Sequence, residues 1–177
     1  MPSNLIGSLS SYIVINRQYI RSPLGLLKYT ECLIGFISFI CIWIACRRNY
    51  DPYSQTNDGF VGGDLETFAL LIFSQTFTTT LMLGIVYSFS IITSTIIPKT
   101  IFEFVFNLIV SLQLFIISLL MFIIVIDRNK NLSDDFFVNG NPNEPGFAYK
   151  ITSSIFGFMN SILYSIDAYV SYQSYIS

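Results

Sequence analysis

At 177 residues the chain has the length of one domain. Its residues are 53% hydrophobic and 11% charged, with net charge −2 and mean hydropathy +0.61. That balance excludes a water-soluble globule, which could not hide so much apolar surface behind a charged exterior. The 9 Lys plus Arg form no basic patch, so nucleic acid is excluded as a partner. Histidine is absent, which excludes a His general base, a His-ligated metal and an imidazole pH switch.

Residues 1–22 set Tyr12, Ile13, Ile15, Tyr19 and Ile20 against Arg17 and Arg21. The pattern fits a cytosolic segment lying as a short helix on the membrane surface, and a disordered tail is the plainer alternative. Ser22–Pro23 supplies an N-cap and a first-turn proline. The first span is expected over 24–46, about 20 residues at ~1.5 Å rise against a ~30 Å hydrocarbon core. It is too long for a signal-peptide core and ends in Arg47–Arg48 rather than a small-residue cleavage site, so it is expected to stay as an anchor. Cys32, Cys41 and Cys46 all fall in this segment, which leaves no disulfide between loops. They read as small buried hydrophobes, with Cys32 near enough a membrane face for S-palmitoylation.

Residues 47–66 form a loop rich in Asn, Asp, Gly and Pro that carries Asp51, Asp58 and Asp64. The second span is expected over 68–92, with a polar centre of Ser74, Gln75, Thr76 and Thr78 to Thr80. A short connection over 93–100, containing Pro98 and Lys99, makes the second and third spans an antiparallel hairpin. The third span, 101–126, is the longest and most apolar, so it should tilt. Residues 127–149 form the second large loop, with Asp134, Asp135 and a glycosylation sequon at Asn131. The fourth span is expected over 150–172, followed by a short tail, 173–177. The fold class is therefore all-α: a polytopic membrane protein whose transmembrane domain, 23–172, is a four-helix bundle. Continuous apolar runs exclude a β-barrel, which needs alternating ten-residue strands.

Four spans place both termini on one side. Lys and Arg do not decide which: Arg17, Arg21, Lys28 and Lys99 on the terminal face oppose Arg47, Arg48, Arg128, Lys130 and Lys150 in the larger loops. The sequon favours outward-facing loops and cytosolic termini.

In that arrangement Glu31, Glu103 and Asp167 come from three helices to one depth, with Lys28, Lys99 and Arg21 nearby. Lys28–Glu31 and Lys99–Glu103 have the spacing of pairs along a helix. Ionisable groups at membrane depth are costly and usually paired or functional. The leading reading is a structural polar layer that fixes helix register. The alternative is the cation or proton site of a small channel or transporter, although the acids lie shallow and no broken helices or repeats accompany them. No nucleophile–base pair, metal cluster or phosphate loop is present, so neither an enzyme activity nor a cofactor is expected. Gly35 with Ser38, Gly84 with Ser88, and Gly157 with Ser161 offer small faces for close helix approach. Gln75, Asn107, Gln113 and Asn160 are candidates for hydrogen bonds between helices.

Asn16, Tyr19, Ser22–Pro23, Gly25, Leu27–Lys28 and Glu31 form the pattern N-x-x-Y-x-x-S-P-x-G-x-L-K-x-x-E. This resembles the approach to the first helix in MARVEL-domain proteins, and the four-span layout is similar to theirs. The chain looks most like the compact MAL, plasmolipin and chemokine-like-factor branches, since it lacks the loop cysteines of physins and gyrins and the long tail of occludin. The resemblance implies a non-enzymatic protein of the plasma membrane or of endosomal and secretory vesicles. Its expected roles are vesicle traffic, apposition of cholesterol-rich membranes, or stabilisation of other membrane proteins. Expected partners are lipids including sterol, other membrane proteins and copies of itself. A role at cell junctions would use the loop aromatics Tyr50, Tyr53, Phe60, Phe136 and Phe137.

Overall fold

A computed structural model of the chain describes residues 16–48, 63–97, 100–135 and 146–176. These are helical almost throughout, with no strand among the described residues. Helix α1 is one turn, Arg17–Ile20, and α2 runs Pro23–Arg48. Between them Ser22 acts as a two-way cap: its Oγ accepts from the Gly25 amide at 3.0 Å and donates to the Tyr19 carbonyl at 2.7 Å. A Cβ on Gly25 would collide with that same Tyr19 carbonyl oxygen, so the close turn requires glycine.

Of the segment expected as a short helix on the membrane surface, 1–22, the structure describes residues 16–22. Residues 1–15 lie outside the described residues, and α1 docks into the bundle. The Asn16 amide donates to the Ser88 carbonyl at 2.8 Å, its side chain reaches Ser94 at 2.7 Å, and the Tyr19 ring meets Tyr87 edge-on at 5.3 Å. Tyr19 faces inward because its ring finds an aromatic partner there. Burial, and next the Glu103 carboxylate, raise the pKa of its phenol above the ordinary tyrosine value.

Helix α3 spans Asp64–Phe89, so it starts and stops earlier than the expected 68–92. Asp64 and Glu66 in its first turn suit the positive end of the helix dipole. Ser90 ends it by turning extended (φ −132°, ψ 110°) and capping a short helix α4, Ile91–Ile96, through the Thr93 amide. The connection to the third span is thus partly helical. Helix α5, Ile101–Asp135, has 35 residues and outlasts the expected 101–126 by more than two turns. No Gly or Pro interrupts that polar extension, and Arg128 within it is tied to α3. Helix α6, Phe147–Ile176, follows Gly146, whose φ of 76° strains any side chain and where a Cβ would press to 3.2 Å from the Ala45 backbone.

The four long helices form a ring in which each packs on the next and α6 closes on α2; the α3–α5 contact is the slimmest. Ile42, Ala69, Phe73, Leu114, Ile117 and Met121 make the centre of the core. Among the described residues three helices are long and apolar enough to cross a bilayer: Pro23–Arg47, Asp64–Phe89 and Ile101–Lys130. Helix α6 is less apolar on average because it is built inside out. Ser153, Ser154, Asn160, Ser161, Asp167 and Ser171 are buried, while Ile155, Met159, Ile162 and Ile166 are exposed.

Candidate functional site: ionic layers at both ends of the bundle

The Lys28 ammonium lies one turn into α2 and gathers acceptors from three helices. It pairs directly with Asp167 of α6 and approaches Glu31 at 3.3 Å and Glu103 of α5 at 3.7 Å. It also donates to the Asn107 side-chain oxygen at 3.0 Å, and the Asn107 amide donates to Asp167 at 3.0 Å. Each of the four charged side chains is 4% exposed or less. Tyr164 stacks beneath the ammonium at 5.5 Å and hydrogen-bonds Thr80, which brings α3 into the same layer. The ammonium donates to Asn107 and pairs most closely with Asp167, while neither oxygen of Glu31 has a hydrogen-bond partner.

Opposite charges do not balance by count: one ammonium faces three carboxyl groups. Glu103 Oε2 and the phenols of Tyr19 and Tyr87 have no hydrogen-bond partner. These residues line, with Lys28 and Asp167, a void of about 10 Å³, the size of one water-sized group.

A second ionic layer closes the other end. Glu66 of α3 accepts from Arg128 of α5 at 2.6 Å and pairs with Lys150 of α6 at 3.0 Å. Glu66 and Lys150 are fully buried, whereas Arg128 is 41% exposed. Lys150 and Asp167 are 17 positions apart on α6, so the layers stand ~26 Å apart at 1.5 Å per residue. That spacing is close to the ~30 Å thickness of a hydrocarbon core.

Lys28, Glu31, Glu103 and Asp167, expected at one depth, are within one cluster. Lys99, the expected neighbour of Glu103, lies outside the described residues; Glu103 approaches Lys28. The side chain of Asn131 and the loop aromatics Tyr50, Tyr53, Phe60, Phe136 and Phe137 also lie outside them. Gly35 and Gly157 sit at close helix contacts: a Cβ on the first would meet the Asn160 amide at 3.2 Å, and one on the second would meet Ser118 and the Phe73 ring. Ser38 accepts from Ser153 through its carbonyl at 3.0 Å. Ser111 and Ser161 bond each other's carbonyls at 3.0 and 2.9 Å. Gly84 differs, since a Cβ there would meet only a Tyr29 ring carbon at 4.0 Å; Ser88 meets the Tyr29 hydroxyl at 2.6 Å. Of the four candidate amides, Asn107 bridges helices. Gln75 and Gln113 instead point outward, and no hydrogen bond of either amide is seen among the described residues.

Sequence reasoning missed the second layer because Glu66, Arg128 and Lys150 read as loop charges. Their signal was their topology: an up-and-down bundle brings the start of the second span, the end of the third and the start of the fourth together. As chemistry, both layers offer ion pairing and, in the first, proton-binding carboxyls. Among the described residues no group of three His, Cys, Asp or Glu is arranged to hold a metal.

Among the described residues the fold and both layers define an all-helical architecture with three helices long and apolar enough to cross a membrane. No family model, no curated protein and no solved structure matches the chain.

Proposed function

We propose that the chain is a four-span, non-enzymatic membrane protein of MARVEL type that organises membrane or vesicle traffic and stabilises other membrane proteins through its helix faces. Helix α6 serves as the fourth span: its polar residues turn inward and its apolar ones outward, so hydropathy averaged around the helix understates its fit to lipid. One observation carries the functional reading. The two buried cations, Lys28 and Lys150, are each held in an ion pair with an acid of another helix, one at either end of the bundle, as groups that hold an architecture are. The N-x-x-Y-x-x-S-P-x-G-x-L-K-x-x-E pattern supports it too, because its polar residues converge here: Asn16 and Ser22 as caps, Lys28 and Glu31 in the ionic layer.

The excess of carboxyl groups over ammonium beside the small void favours a second reading, a proton- or cation-conducting protein. Reconstitution in proteoliposomes separates them. The organiser reading expects no proton or cation flux above that of empty vesicles. It also expects the tagged protein in plasma membrane or endosomal vesicles, co-purifying with other membrane proteins in mild detergent. Flux that disappears with Glu31→Gln overturns it.

A further inference from the structure

An outward groove of about 690 Å³ runs between α3 and α5, where the ring is most thinly packed. Its walls are apolar, with Leu71 and Ile116 among the most exposed, but Gln75 of α3 and Gln113 of α5 project into it. Gln75 follows Glu66 by nine positions and Gln113 follows Glu103 by ten. At 1.5 Å per residue each amide is ~14–15 Å from an ionic layer, close to half-way between the two. In lipid, an outward amide at that depth faces hydrocarbon, where nothing satisfies its donors and acceptor. Sterol hydroxyls and lipid headgroups reside at the interface, about half a bilayer core away.

We infer that the α3–α5 groove is an interface with a second copy of this chain, joined by hydrogen bonds between Gln75 of each copy and Gln113 of the other. A glutamine amide both donates and accepts, so the surface is complementary to itself. Because both amides lie at one depth on antiparallel helices, a two-fold axis along the membrane normal carries α3 of one copy against α5 of the other with the amides level. Such a contact closes on itself as a dimer. Polar side chains of this kind associate transmembrane helices where apolar ones have no preference for protein over lipid. The inference rests on the membrane-spanning reading above and assigns a surface and a pair of residues to self-association.

Disulfide cross-linking of the full-length chain in membrane vesicles tests this. Leu71→Cys and Ile116→Cys mark the groove, Ile162→Cys marks the outer face of α6, and the unaltered chain gives the background of Cys32, Cys41 and Cys46. A band of twice the chain mass is expected from the groove positions and not from Ile162→Cys. Gln75→Leu with Gln113→Leu should weaken dimerisation about tenfold, while Gln75→Asn with Gln113→Asn should retain it. Both double variants should keep the thermal midpoint of the parent, since neither amide is in the core. The cysteine comparison needs no change at either glutamine, so it decides the matter even for a poorly folded double variant. No dimer, equal dimer from Ile162→Cys, a product of another mass, or a dimer indifferent to the leucines each overturns the inference. Alkaline carbonate extraction of the same vesicles tells its failure from that of the membrane reading, which alone predicts retention.

Discussion

Replacing Lys28 with methionine isolates what the first ionic layer contributes. Methionine keeps most of the buried aliphatic stem, so packing changes little and the loss is that of the ammonium. Glu31, Glu103 and Asp167 then face one another with no cation, and Asn107 loses a donor. Removing one partner of a buried ion pair costs about 3–5 kcal/mol, because the charge left behind is neither solvated nor paired. At roughly 2–4 °C per kcal/mol for a chain of this size, the thermal midpoint in detergent micelles should fall by about 6–20 °C. An exposed cation gives the comparison: Arg17→Met on α1 should stay within about 0.5 kcal/mol. Neutralising the cluster together, with Lys28→Met, Glu31→Gln, Glu103→Gln and Asp167→Asn, should recover most of the loss, since no unpaired charge then remains. A Lys28→Met cost below about 1 kcal/mol, or no recovery in the neutral set, would refute the account of the layer as a paired, desolvated cluster.

Two glycines that look alike in sequence should diverge. Gly157→Ala forces a Cβ against Ser118 and to 3.0 Å from the Phe73 ring, so a loss of about 1–3 kcal/mol is expected by chemical unfolding. Gly84→Ala meets only Tyr29 at 4.0 Å, and should range from neutral to about 1 kcal/mol more stable. The Tyr19 phenol has its pKa raised in the folded chain above the ordinary value of 10.0. Its contribution to stability is therefore complete below about pH 10 and is lost as pH rises toward the folded value. Tyr19→Phe should leave stability at neutral pH within about 1 kcal/mol, since the hydroxyl has no hydrogen-bond partner, and should flatten the alkaline limb of a stability–pH profile. An unchanged alkaline limb would count against that burial.

Helix existence was legible because long apolar runs leave few alternatives in lipid, where the backbone must satisfy itself. The start of α2 was legible residue by residue, since Ser22–Pro23 acts locally. The ends were not: Ser90 breaks α3 through a side-chain bond to Thr93, and α5 continues through residues that look like loop. Both outcomes depend on competition between local polar bonds and tertiary contact, which residue types do not resolve.

What the sequence by itself determined is the class: no soluble exterior, no histidine chemistry, apolar runs of membrane-crossing length, and acids spaced to reach a common depth. The tertiary structure decided which charges meet. Only the ring of helices sets Lys28 among Glu31, Glu103 and Asp167, joins Glu66 to Arg128 and Lys150 at the far end, and turns Gln75 and Gln113 outward while Asn107 turns in. The physical reason is that ion pairing and amide satisfaction are set by distances of a few ångströms between separate helices. Composition and spacing fix a residue's depth along its own helix, but its angular direction toward a particular neighbour arises only when the helices pack.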